Sequence, residues 1–171
     1  GITNTNYFVT TTENRYVLTV FEVLKSDELP FYLYLMKHLS DRGVVAPEPI
    51  ARKDGALQGL LSGKPACLIS CLPGRDIQET NTEQCYSIGC TLAKIHLAGA
   101  DFSMKMDNPR FNHWWRQQAE RLYPLMLGED AILLSNTIAF LNKNPDTHLP
   151  RGVIHADLFK DNVLVTNGRV T

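Results

Sequence analysis

The sequence predicts an α+β protein in two parts, a β-rich first part carrying one helix and a mainly helical second part. Three observations carry that expectation. NYFVTTTENRYVLTVFEV, residues 6–23, holds two β-branched and aromatic runs around Glu13-Asn14, a hairpin signal. From Leu72-Pro73-Gly74 onward the apolar residues recur at helical spacing instead. The last stretch, RGVIHADLFKDNVLVTNGRVT, returns to β-rich runs around a polar cluster.

The elements follow in order. SDELPFYLYLMKHLSDRG reads as a helix that Ser26 or Asp27 can cap, with Pro30 in the first turn and Gly43 as the stop. Leu29, Leu33, Met36 and Leu39 share one stripe of it and are assigned to a core. After the extended APEP link come two short strands, GALQGLLSGKP and PACLISCLPG, separated by Ser62-Gly63. TEQCYSIGCTLAKIHLAG is a second helix with Ile88, Leu92 and Ile95 on one side, Thr82 or Asn81 as cap and Gly99 as stop. NPRFNHWWRQQAERLYPLM and EDAILLSNTIAFLNK supply two more. The division falls near residue 72, between a β-rich part over residues 1–72 and a mainly helical part over residues 73–171 that ends in the polar cluster.

Composition narrows the classes. A chain of 171 residues can bury a core without disulfides or structural metal. A formal net charge of −1 without a basic run argues against nucleic acid as a partner. No apolar stretch is long enough to span a bilayer. Cys67, Cys71, Cys85 and Cys90 lack C-x-x-C spacing and read as reduced, small hydrophobes of a cytoplasmic protein.

The chemistry concentrates in His155-x-Asp157-Leu158-x-x-x-Asn162, the kinase catalytic-loop spacing H-x-D-L-x-x-x-N. Phosphoryl transfer needs an acceptor hydroxyl oriented by a carboxylate and a hard oxygen ligand for a cation at the same point. A short loop between β segments brings Asp157 and Asn162 together for both tasks. The plain alternative is that Asp and Asn are common turn residues. Apolar runs at Gly152–Ile154 and Val163–Val165 favour the catalytic reading. His155 reads as a residue that orients the loop. Lys160 reads equally as a phosphate contact or a solvated lysine.

With HADLFKDN as its core, the chain resembles the aminoglycoside phosphotransferase-type family, whose fold is protein kinase-like with two lobes. TNTNYFVTT, LPGRDI and NPRFNHWWRQ are similar to its homoserine kinases in particular. The resemblance implies ATP and Mg²⁺ as cofactors and the homoserine hydroxyl as phosphate acceptor. It implies Asp157 as the catalytic aspartate and Asn162 as a metal ligand. Asn4 and Thr5 would lie close to the ATP phosphates, in what remains of a loop at Gly1 to Asn6. Ser70 to Leu72 would offer backbone groups to adenine. Glu28 matches the glutamate that pairs with a strand lysine, or else is an exposed carboxylate at a helix start. His96 aligns with a helix histidine of the family and reads as a satisfied core residue. Trp114 and Trp115 project about 100° apart on a helix, one of them toward a core.

One position departs from the family pattern. Thr19 stands where a strand lysine for the phosphates is expected, which leaves the partner of Glu28 open. The chain also opens without Met, and its last hairpin, turned at Asn167-Gly168, has only Arg169–Thr171 as second strand. Both ends therefore read as cuts in a longer protein, and the piece as inactive or nearly so. The competing functions are a kinase for another small alcohol, such as an aminoglycoside or choline, and a catalytically dead kinase-like binding domain.

Overall fold

A computed structural model of the chain describes residues 4–144 and 148–171. These residues form two compact units, one running to Lys105 and resuming at Gly152, the other Met106–Arg151.

In the first unit, β1 (Asn4–Thr10), β2 (Arg15–Phe21), β3 (Gly59–Leu61) and β4 (Lys64–Ser70) form an antiparallel sheet in the order β1-β2-β4-β3. The β1–β2 hairpin closes where the sequence places it, with Thr11 N–H donating to Asn14 O at 2.9 Å. The β3–β4 turn needs two left-handed residues, and Ser62 and Gly63 take φ of 51° and 80°. That is the geometry whose twist matches paired strands.

Helix α1 (Leu29–Asp41) covers one face of this sheet. Leu29 and Leu33 are fully buried against Cys67, with Phe21, Leu24, Met36, Leu57 and Ile69 packed around them. The expected stripe is therefore the core. The expected cap is not observed: neither Ser26 nor Asp27 caps the helix, and Glu28 holds the N-cap position without a side-chain cap bond. The main chain starts the helix instead, as Lys25 O accepts the N–H groups of Glu28 and Leu29, each at 3.2 Å. At the other end Gly43 takes φ +71° and Val44 N–H returns to Leu39 O at 3.0 Å, a left-handed stop.

Helix α2 (Thr82–Ala98) begins with a reciprocal cap between Asn81 and Gln84. Its end is tied to α1: His38 Nε2 lies 2.9 Å from Ala98 O, and Arg42 Nη2 donates to Asp101 Oδ2 at 2.7 Å. Arg42 holds the Asp101 carboxyl below its ordinary value, with His38 adding to the effect.

A second, smaller sheet has the order β5-β6-β7, from β5 (Arg75–Asp76), β6 (Leu164–Thr166) and β7 (Arg169–Val170). Asn167 and Gly168, at φ 51° and 76°, make the predicted hairpin turn. One expectation fails here: the run Gly152–Ile154 is not a strand. On the edge away from β7, β6 pairs with β5, Arg75 opposite Val165 and Asp76 opposite Leu164.

In the second unit, α3 (Asn112–Leu122), a single 3₁₀ turn at Tyr123–Leu125 and α4 (Glu129–Lys143) follow one another. Arg116 Nη2 donates to Asn142 Oδ1 between the helices at 2.5 Å. Trp115 is half-buried, edge-on to Phe111 at 5.3 Å, whereas Trp114 is 41% exposed. Among the described residues no helix is long and apolar enough to cross a membrane.

Leu33→Ala should lower unfolding free energy by about 2–5 kcal/mol in denaturant titration, since it empties the centre of the α1 core. Burial also pushes the Cys67 thiol from 9.0 up to about 11. The unfolded chain then loses this proton first. The stability contribution is complete below pH 9.0 and is lost as pH rises through about 11. Native Cys67 should resist alkylation near pH ~8 while exposed Cys85 reacts.

Candidate active site

The loop between Arg151 and β6 gathers the polar cluster. Ala156 takes φ +62°, a left-handed conformation that turns the chain between His155 and Asp157. Asp157 N–H donates to His155 Nδ1 at 3.4 Å, which supports the reading of His155 as an orienting residue. Residues Lys160–Asn162 then form one 3₁₀ turn, closed by Asn162 N–H on Phe159 O at 2.9 Å. Buried Val163, 4% exposed, anchors the exit.

This path brings the two predicted residues together. Asn162 Nδ2 donates to the Asp157 backbone oxygen at 2.8 Å and to Asp157 Oδ2 at 3.3 Å. The amide nitrogen is turned inward, so Asn162 Oδ1 and the Asp157 carboxylate remain as hard oxygen donors on one exposed loop. Among the described residues no group of three or more His, Cys, Asp or Glu could hold a metal by itself. The donor set instead fits a hard cation shared between a few protein oxygens and substrate phosphates.

The other predicted residues occupy separate places. Asn4 opens β1 opposite Phe21; residues 1–3 of the predicted phosphate loop lie outside the described residues. Thr5 Oγ1 donates to Glu22 Oε1 at 3.0 Å, and Lys64 Nζ pairs with the same carboxylate. Lys64, then Thr5, hold the Glu22 carboxyl below its ordinary value. Sequence reasoning missed this cluster, although the register that sets Val20 opposite Ala66 runs on to set Glu22 near Lys64.

Thr19 is 7% exposed in the cross-strand row Asn6–Thr19–Cys67. Alternation places it on the α1 face with Phe21, and Lys64 on the opposite face. Lys64 is thus no substitute for a lysine at position 19. Glu28 Oε2 accepts the Lys25 N–H at 3.0 Å, which closes the turn into α1.

At the end of β4 the backbone is largely committed. Ser70 N–H donates to Glu48 O at 2.8 Å and Cys71 N–H to Arg15 O at 3.2 Å. Ser70 Oγ accepts the Glu48 N–H at 2.8 Å. Leu72 is the one of the three whose N–H donates to no described residue. His96 is exposed in the last turn of α2, so the expected core histidine is corrected. Two open clefts, of about 570 and 580 Å³, include neither Asp157 nor Asn162.

Comparison with known proteins adds to this geometry. The sequence profile of the phosphotransferase enzyme family matches residues 1–171. A homoserine kinase of Neisseria meningitidis serogroup B is 57% identical over 171 residues, all of this chain and 56% of that protein. A homoserine kinase of Methylobacillus flagellatus is 46% identical over 99% of this chain and 53% of that protein. The chain spans about half the length of the curated relatives it matches. An amicoumacin kinase solved in complex with AMP-PNP, Ca²⁺ and Ami superposes with a TM-score of 0.72 at 16% identity, over 99% of this chain and 55% of that one. A spectinomycin phosphotransferase solved with ADP and spectinomycin gives 0.63 at 17% identity, over 96% and 57%. These structures share the protein kinase-like α+β fold with the chain.

A β-branched residue is poorly tolerated at φ +62°, so Ala156→Val should destabilise the loop by about 1–3 kcal/mol while Ala156→Gly holds its shape. Thermal unfolding of the two variants checks this.

Proposed function

The chain belongs to the phosphotransferase enzyme family, and on that premise we propose that the whole protein transfers the γ-phosphoryl group of ATP to the hydroxyl of homoserine. The observation that carries the reaction type is the joining of Asp157 and Asn162 within one loop, Oδ2 to Nδ2 at 3.3 Å. The acceptor rests on the relative that is 57% identical over the whole chain; the ATP reading is supported by the AMP-PNP and ADP held by the two structural neighbours.

In this reading the Asp157 carboxylate accepts a hydrogen bond from the homoserine hydroxyl and aims its oxygen at the γ-phosphorus. As the new O–P bond forms, the hydroxyl proton passes to Asp157 and the bond to the β,γ-bridging oxygen breaks, releasing ADP. Asn162 Oδ1 would hold Mg²⁺, which would neutralise charge on the phosphates. Asn162 also fixes the aspartate through its Nδ2 bonds, so one side chain serves both tasks. Asn4 and Thr5 are the residues proposed to lie close to the phosphates, Thr5 by its backbone because its hydroxyl is held by Glu22. Adenine lies along Ser70–Leu72, with the Leu72 N–H as the donor left for a ring nitrogen. Glu28 enters as the carboxylate at the N-cap position of α1. Small alcohols are the substrate class and nucleic acid is not.

Asp157→Asn in the whole protein should reduce kcat by about 10²–10⁴ with little change in thermal stability, because the residue is exposed. Homoserine should show the highest kcat/KM in a panel with choline and spectinomycin. Wild-type turnover by Asp157→Asn would sink the catalytic assignment, and a better aminoglycoside acceptor would sink the homoserine one.

A further inference from the structure

The proposed reaction employs Asp157 and Asn162 and leaves Lys160, on the same loop, without a task. Lys160 is exposed, yet its ammonium donates to the backbone oxygen of Gln78 at 2.6 Å, 82 residues away in sequence. The acceptor is itself well fixed. Gln78 follows β5 and buried Ile77, 4% exposed, and its Nε2 donates to Asp76 Oδ2 at 2.7 Å. β5 in turn pairs with β6, the strand directly after the loop.

The loop is therefore held on both sides of its 3₁₀ turn. Val163 and β6 hold the exit, and Lys160, first residue of the turn, is tied to the same β5 segment. Within the turn, Val163 N–H donates to Lys160 O at 3.4 Å. The turn ends on Asn162, whose amide holds both the backbone oxygen and the carboxylate of Asp157. An ammonium on a carbonyl is a charge-assisted bond, stronger than a neutral one. Lys160 makes no hydrogen bond to Asp157 or Asn162, and its direction is toward Gln78.

We propose that Lys160 is a positioning residue, tying the catalytic loop to the Gln78 carbonyl and so fixing, through Asn162, the aim of the Asp157 carboxylate. The assignment rests on the phosphotransferase reading of that loop. A tether of this kind acts on orientation, and a small misplacement of reacting groups costs up to about a hundredfold in rate.

The test compares wild type, Lys160→Met and Lys160→Arg in the whole protein, with two readouts. Steady-state kinetics with ATP and homoserine should give a kcat about 10–100-fold lower for Lys160→Met. Its KM for ATP should stay within about twofold. Hydrogen exchange over Phe159–Val163, measured without substrate, should be about tenfold faster in Lys160→Met. Lys160→Arg, which keeps a cationic donor, should restore both. Unchanged exchange in Lys160→Met overturns the tether whatever the protein phosphorylates. A raised KM for ATP at unchanged kcat also overturns it, assigning the ammonium to phosphate. If wild type fails to use homoserine, the reaction reading falls, and the exchange comparison alone decides the tether.

Discussion

The arrangement of the loop depends on a two-residue strand. Arg75 and Asp76 pair with Val165 and Leu164, giving β6 a partner on the edge that its hairpin with β7 leaves open. Without that pairing the chain after Asn162 would carry unsatisfied backbone groups next to buried Val163. β5 reaches this place because of the Pro73-Gly74 turn before it. Gly74 has φ +114°, and a Cβ there would lie 2.7 Å from Thr171 Oγ1 and 3.0 Å from Val165 O. Pro73 O accepts the Thr171 hydroxyl at 2.7 Å. The break that marks the change from strand to helix periodicity is thus also the support of the loop.

The position of Thr19 follows from similar packing logic. It shares a cross-strand row with Cys67 on the face covered by α1. That environment is desolvating enough to push the Cys67 thiol up to about 11. An ammonium in the same row would have to be paired or lose its charge. Threonine fits there as a small, β-branched side chain that suits a strand. The nearby charge pair, Glu22 with Lys64, belongs to the other face of the sheet, where it holds Thr5. Charge is thereby kept off the α1 side of the row at position 19.

Most of the fold was legible because its signals are local. Ser62-Gly63 and Asn167-Gly168 each demand positive φ, and both turns formed. Asn81 and Gln84 spell a capping box. The stripe from Leu29 to Leu39 announces a helix packed on the four-stranded sheet. What escaped was set by partners far away in sequence. Two residues carry no periodicity, so β5 could not be read. The bonds of Ser70 and Cys71 depend on Glu48 and Arg15 arriving beside them. The start of α1 is a local exception: it lacks a polar cap because Lys25 O supplies a backbone turn. The candidate site divides the same way: the spacing of Asp157 and Asn162 is local, whereas the Lys160–Gln78 bond spans 82 residues.

The same distinction bears on what the loop can select. A carboxylate fixed by a neighbouring amide recognises a hydroxyl, not the molecule that carries it. The structural neighbours, at 16–17% identity, share the fold, and one is an amicoumacin kinase and the other a spectinomycin phosphotransferase. One architecture therefore serves different acceptors, as expected when function resides in sites placed on a common scaffold. The homoserine assignment draws on a different quantity, the 57% identity that extends across the whole chain. Discrimination among alcohols must come from groups that touch the rest of the acceptor. In the proposed reading Asp157 and Asn162 serve phosphoryl transfer itself, and the proposed Lys160 tether would act on that step rather than on the choice of substrate.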